Sequence, residues 1–192
     1  MRLLPAAAFA LVVVTAPLAS AQNVLIDFEN NWSYGTDVNG YYAGGTASDS
    51  TSGPNRGVSF VNFTGLSNDA SSRTTATRRR RSASPTPMPR RAATTPFINM
   101  TTAAAGALTF SYSSPVGIAG AVRAFSGPNG TGNLLASIDL NGNAPTGDYA
   151  TWAQATLQFA VLARSFDFVP GTNDAAFDNV AITAADLCSR WN

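Results

Sequence analysis

Short segments in which apolar and polar residues alternate, each ended by Gly, Pro, Asn or Asp, make up most of the chain after residue 96. A period of two places successive side chains on opposite faces of a β-strand, whereas a helix needs apolar residues three or four positions apart. Only residues 101–108 have a composition that suits a helix, and Gly106 interrupts them. The pattern therefore predicts strands joined by turns.

Two strands are predicted before residue 66. The first covers Val24–Phe28, which is rich in β-branched and aromatic residues. In the second, alternation puts Val58 and Phe60 on one face, and Val61 and Phe63 on the other. The residues between these strands are rich in Gly, Ser, Asn and Asp, so we expect loops there.

Strand signals come close together after residue 96, in the segments "FINMTT", "GALTFSYSS", "GAVRAF", "NLLASIDL", "WAQATLQF", "RSFDFVPG" and "AAFDNVAIT". "GAVRAFSGPNGTGNLLASIDL" is predicted to be a β-hairpin, because Pro128, Asn129 and Gly130 suit the backbone angles of a tight loop. Eight or so short strands indicate an all-β fold, an antiparallel β-sandwich. We expect its core to include five phenylalanines, Phe60, Phe110, Phe125, Phe166 and Phe168.

The N-terminus has the pattern of a signal peptide. Arg2 precedes an apolar run over residues 3–18, and a small-x-small sequence at residues 19–21 follows. We predict a signal peptide over residues 1–21, a β-sandwich domain over 22–184 and a C-terminal tail over 185–192. The protein is then secreted or part of the cell envelope. No later segment has the roughly 20 apolar residues of a membrane span, so none is expected in the mature chain.

The composition excludes several kinds of chemistry. The chain contains no histidine and no lysine, which removes serine triads, histidine metal sites and Schiff bases. Its single cysteine, Cys188, cannot form an intramolecular disulfide. We therefore predict that the protein is not an enzyme.

Residues 73–91, "RTTATRRRRSASPTPMPRR", contain seven arginines and no acidic residue. Three interpretations compete: a basic arm that binds nucleic acid or another polyanion, a disordered Arg- and Pro-rich surface loop, or a local shift of the reading frame between about residues 70 and 96. The stretch has no aromatic residues to stack on bases. Composition favours the second and third interpretations, and both predict a disordered insert over residues 70–96.

The rest of the mature chain is acidic. Outside residues 73–91, residues 22–192 contain four arginines against eleven aspartates and glutamates. A domain with this balance repels a phosphate backbone, so no nucleic-acid partner is expected.

Several blocks of the chain resemble one group of proteins. Five blocks after the signal peptide are similar to secreted bacterial β-sandwich proteins of the PEP-CTERM type. In order, they are "NVLIDFEN", "YYAGGTASDSTSGPNRGVSF", "SGPNGTGNLLASIDL", "ARSFDFV" and "AAFDNVAIT". The resemblance implies a fold like the carbohydrate-binding jelly-roll modules and a place at the cell surface or in an exopolysaccharide matrix. The last residues, "AADLCSRWN", lack the Pro-Glu-Pro sorting motif of that group.

Three carboxylates are candidates for a structural calcium site. Asp27 and Glu29 stand two apart at the first strand and so share a side, and Asp178 lies in the last strand, which in a sandwich often returns beside the first. Oxygen ligands of this kind suit Ca²⁺. The resemblance to jelly-roll modules that hold calcium between terminal strands supports this hypothesis, and the alternative is that these residues cap strand ends or face water.

Carbohydrate binding needs an exposed aromatic ring with polar groups nearby. Trp32, Tyr34, Tyr41 and Tyr42 lie in loop-like sequence and are the candidates, although each also suits a core position. The sequence therefore favours a secreted, non-catalytic module that binds carbohydrate or an exopolysaccharide matrix. The alternatives are a structural matrix protein without a small ligand and a glycoside hydrolase that uses only carboxylates.

Overall fold

The structure, a computed structural model, describes residues 23–30, 35–65, 95–145, 151–168 and 175–184. The predicted signal peptide, residues 70–94 of the predicted insert and the predicted tail lie outside the described residues. The strands are β1 (Val24–Ile26), β2 (Val58–Val61), β3 (Phe97–Ser113), β4 (Ile118–Phe125), β5 (Leu134–Leu140), β6 (Ala153–Phe168) and β7 (Ala176–Ala184).

All of these strands pair antiparallel. The order along the sheet is β1-β7-β3-β6-β4-β5, and β2 pairs with the N-terminal part of β3. The prediction of an all-β antiparallel sandwich is confirmed. The expected return of the last strand to the first is also observed, because β1 pairs with β7 from Val24–Ile182 to Ile26–Val180. No helix in the described part of the chain is long and apolar enough to cross a membrane.

The two longest strands bend, and the sheet folds over itself as a result. Phe110 of β3 is paired in register with Ala155 of β6, yet its ring centroid lies 5.8 Å from that of Phe168. Thirteen residues of straight strand would separate Ala155 from Phe168 by roughly 43 Å. β6 therefore turns back on itself, and its two ends belong to two facing halves of one continuous sheet.

Small residues mark this bend in β3. The register between β3 and β6 shifts between Asn99 and Ala104 and again between Ala104 and Gly106, whose φ of 147° favours glycine. On β6, Val161 and Leu162 lie on the outside of the bend and are 59% and 47% exposed. The sequence predicts two separate strands in place of β3 and two in place of β6. In the structure, each predicted break between strands is the bend within one continuous strand.

Aromatic rings fill the space between the two halves. The ring of Phe168 lies 4.9–5.8 Å from those of Phe63, Phe110 and Phe177, in edge-to-face contacts. Such contacts contribute about 0.5–1.5 kcal/mol each beyond the burial of area. Four of the five predicted core phenylalanines are buried, but Phe125 is only half-buried.

The prediction that Phe63 lies on the opposite face from Phe60 is wrong. Phe63 is 2% exposed and packs on Phe60, although simple alternation put these two residues on opposite faces. Asn62 between Val61 and Phe63 has a φ of 59°, and this left-handed residue changes the period so that Phe63 turns into the core.

The predicted hairpin is confirmed, and its loop does more than connect β4 to β5. Asn129 and Gly130 have φ values of 52° and 71°. The backbone N–H of Gly130 donates to Ser165 Oγ, which in turn donates to the carbonyl of Gly127. The side chains of Asn129 and Asn99 are also joined, at 2.7 Å. The loop therefore folds back over the outer side of β3 and β6.

Two buried serines provide a test of these contacts. Both Ser113 and Ser165 are fully buried, but among the described residues Ser113 Oγ has no hydrogen-bond partner, whereas Ser165 Oγ has two. We expect Ser113→Ala to raise the free energy of unfolding by about 1 kcal/mol, since it removes an unsatisfied polar group, and Ser165→Ala to lower it by about 2 kcal/mol. Urea denaturation measures both. A loss of stability in both variants would contradict this prediction.

Candidate functional site

Two of the four aromatic candidates are core residues. Tyr41 and Tyr42 are 7% and 3% exposed, and the ring of Tyr42 packs on Phe28 and Phe60. Asn30 holds both hydroxyl groups: Tyr41 donates to its Oδ1 at 2.7 Å, and its amide donates to the Tyr42 hydroxyl at 2.9 Å. This corrects the expectation of exposed loop aromatics, because buried rings offer no face to a sugar.

The other two candidates, Trp32 and Tyr34, lie outside the described residues. The sequence left both an exposed and a core position open for Tyr41 and Tyr42. The loop composition around them has no period that distinguishes an inward from an outward side chain.

The three carboxylate candidates are close together at the junction of β1 and β7. The backbone turns sharply there, since Phe28 and Asn179 both have positive φ values, 53° and 49°. Burial, followed by the charges of Glu29 and Asp27, raises the pKa of Asp178 to about 6. The N–H of Asn179 donates to Asp178 Oδ1 at 2.8 Å and partly offsets this rise. The structure therefore brings Asp27 and Glu29 near enough to Asp178 for their charges to act on it.

The three acids do not converge on one point. Among the described residues, no group of three or more acidic, histidine or cysteine side chains is close enough to hold a metal ion. Calcium binding by Asp27, Glu29 and Asp178 stays a prediction, for which the observed proximity of the three charges is a partial basis.

A sheet surface that the sequence did not point to is a stronger candidate. In the N-terminal part of β6, Ala155, Leu157 and Phe159 face the core, so Gln154, Thr156 and Gln158 point away from it. Register carries this outward side across the neighbouring strands β3 and β7. We call this surface the open face, and it consists of Ala107, Thr109, Ser111, Gln154, Thr156, Gln158, Asp178, Ala181 and Thr183.

The open face is polar and nearly uncharged. The carboxamides of Gln154 and Gln158 are exposed and make no hydrogen bond to the described residues, while the hydroxyls of Thr109 and Thr156 lie 3.1 Å apart. Asp178 is its one charged residue. The surface measures roughly 14 Å from Gln154 to Gln158 and roughly 10 Å from β6 across β3 to β7.

The outer side of the other half of the sheet is occupied by the hairpin loop. Asp167 is there, 1% exposed, and both of its carboxylate oxygens accept from the guanidinium of Arg123. The ring of Phe125 lies 5.5 Å from the Arg123 guanidinium carbon. The polar side chains of Arg123 and Asp167 on that half therefore bind each other, whereas the carboxamides of Gln154 and Gln158 on the open face bind no other described residue.

Trp152 immediately precedes β6, next to one end of the open face. Ala153 is paired with Tyr112, and alternation extended one residue before β6 puts Trp152 on the same side as Gln154. Its side chain is half-buried. Trp152 is the first residue of the predicted strand segment "WAQATLQF", but the sequence could not show which side of the sheet its ring adjoins.

Comparisons with models of protein families, with curated proteins and with solved structures give no match for this chain. Its function is therefore inferred from its own residues.

Asp178 gives a pH-dependent prediction. Because its pKa is higher in the folded protein than the ordinary 3.8, its contribution favours folding below pH 4 and is lost as the pH rises through 6. Asp178→Asn keeps an oxygen that accepts from Asn179. We expect the free energy of unfolding of Asp178→Asn to equal that of the wild type at pH 4 and to exceed it by about 1 kcal/mol at pH 7, after allowing for solvent screening.

The measurement is urea denaturation at both pH values. Asp139→Asn is the matched control, because Asp139 is exposed and also accepts a backbone hydrogen bond, from Gly120. If Asp178→Asn differs from the wild type by the same free energy of unfolding at pH 4 and at pH 7, the raised pKa of Asp178 in the folded protein is contradicted.

Calcium binding has its own test. If Ca²⁺ binds at the β1–β7 junction, a concentration ten times the Kd raises the free energy of unfolding by about 1.4 kcal/mol and the Tm by about 3 °C relative to a chelator. Asp178→Asn is expected to abolish this difference, and Asp139→Asn to preserve it. An identical Tm with calcium and with chelator removes the site.

Proposed function

We propose that this protein is an exported, non-catalytic module that binds carbohydrate outside the cell through the open face. The signal-peptide pattern at residues 1–21 supports export. The resemblance to secreted PEP-CTERM-type proteins agrees with this proposal and favours polysaccharide or an exopolysaccharide matrix as the partner.

The observation that carries the proposal is the chemistry of the open face. Its exposed side chains are hydroxyls and carboxamides, each of which can both donate and accept hydrogen bonds. The hydroxyl groups of a sugar have the same double capacity. Trp152 at the end of the face offers an aromatic surface against which an apolar sugar face can pack.

The composition supports binding without catalysis. A chain without histidine and lysine lacks the common general bases and nucleophile activators. Carboxylates alone suffice for glycoside hydrolysis, and the acids at the β1–β7 junction are the place where such chemistry would occur. A matrix protein without a small ligand is the remaining alternative.

Binding of the mature chain, residues 22–192, to a panel of polysaccharides tests the proposal. The panel consists of dextran, galactomannan, xylan and hydroxyethylcellulose, measured by affinity electrophoresis. We expect retardation by at least one polymer. Replacing both Gln154 and Gln158 by alanine should weaken binding about tenfold, as expected for the loss of two hydrogen bonds.

Asn141→Ala is the matched control, since it removes an exposed carboxamide from the residue after β5, which is not part of the open face. Absence of retardation by every polymer favours the matrix alternative. Release of reducing sugars from any of them favours the hydrolase alternative, and an equal loss of binding in the Asn141→Ala control would show that the open face is not the binding surface.

A further inference from the structure

We propose that Asp178 makes the open face selective for uncharged polysaccharides, so that it discriminates against polymers that carry carboxylates. This inference rests on the proposed function, because it concerns the selectivity of the same surface. Asp178 would be a specificity-determining residue that acts by repulsion.

The position of Asp178 within the face supports this role. It is paired with Ser111, so that it lies one strand from the centre of the surface and two strands from Gln154, with which Ser111 is also paired. A ligand that lies across the strands therefore passes from the carboxamides of β6 to the carboxylate of β7.

The local backbone fixes the carboxylate in place. Between the pairs Thr109–Ala181 and Ser111–Asp178 the register of β3 and β7 shifts, because β7 has one extra residue there. Asn179 adopts a φ of 49° in this bulge, and its N–H donates to Asp178 Oδ1. The negative charge is thus held at a defined point rather than on a freely rotating side chain.

The surrounding charges strengthen the repulsion. Asp27 and Glu29, at the end of the neighbouring strand β1, are near enough to act on Asp178 electrostatically. Within the described residues no positive side chain belongs to the face. Arg123 is engaged by Asp167 on the other half of the sheet, Arg164 follows the bend of β6, and Arg56 precedes β2. Among the described residues, a carboxylate on a ligand beside Asp178 would therefore meet negative charge and no positive side chain.

An uncharged polymer meets no such penalty. Its hydroxyls can bind Ser111, Thr156 and the two glutamines, and one can donate to the Asp178 carboxylate. The same group that repels an anion can accept from a neutral hydroxyl. Selection among ligands by an unfavourable contact with the wrong one is a general device for specificity.

The test compares each polymer of the panel with its carboxymethyl derivative, which adds carboxylates to the same backbone. At low ionic strength we expect the wild type to bind the neutral polymer about tenfold more tightly than the carboxymethyl form. Asp178→Asn should strengthen binding of the carboxymethyl form about fivefold and so reduce the ratio of the two affinities, neutral over carboxymethyl. High salt should reduce this affinity ratio for the wild type as well.

The Asp139→Asn control should keep the wild-type ratio, because Asp139 lies on β5, away from the face. An unchanged ratio in Asp178→Asn, or tighter binding of the carboxymethyl form by the wild type, would overturn the inference while leaving carbohydrate binding intact. If the wild type binds none of the polymers, both the inference and the proposed function fail. Circular dichroism confirms that each variant is folded.

Discussion

The bend shared by β3 and β6 is the constraint on which the rest of the structure depends. Both strands continue through it, so hydrogen bonding persists while the apolar sides of the two halves turn to face each other. An unbent sheet of these strands would leave the rings of Phe110 and Phe168 exposed on one side. The bend needs small residues on β3, which Ala103–Gly106 supply. Its cost is the exposure of Val161 and Leu162 on the outside.

Folding one sheet over itself also creates two outer surfaces, which differ in how their polar side chains are bound. The hairpin loop lies on one of them, and its contacts with Asn99 and Ser165 satisfy polar groups that would otherwise need water. The ion pair of Arg123 and Asp167 lies beside it. Among the described residues no segment covers the open face, so the carboxamides of Gln154 and Gln158 keep their hydrogen-bonding capacity for solvent or a ligand. The two outer surfaces therefore differ, because the hairpin loop packs on one of them and the open face is the other.

The sequence predicted the strands well because alternation reports directly on which side chains enter the core. It also predicted the hairpin, since Asn129 and Gly130 are residues that accept positive φ values. It could not show that the segments before and after Ala103–Gly106 form one strand, because small residues weaken the alternation at a corner. Nor could it locate Tyr41 and Tyr42, whose burial depends on packing with residues distant in sequence.

The site was harder to predict than the fold for a related reason. Alternation identifies the side chains that point outward, but it does not show which of the two outer surfaces another segment packs on. The hairpin loop binds Ser165, whereas Gln154 is exposed. The proximity of Asp27, Glu29 and Asp178 was predictable, because the first and last strands of a sandwich often pair.

The environment of Asp178 links stability to selectivity. A half-buried carboxylate beside two other acids opposes folding at neutral pH, and an asparagine would preserve the hydrogen bond from Asn179 without that cost. The bulge nevertheless fixes a charge at this point of an otherwise uncharged surface. Local features that reduce stability are often found at functional positions. The unfavourable charge that weakens the fold is therefore the same charge that an acidic ligand would meet.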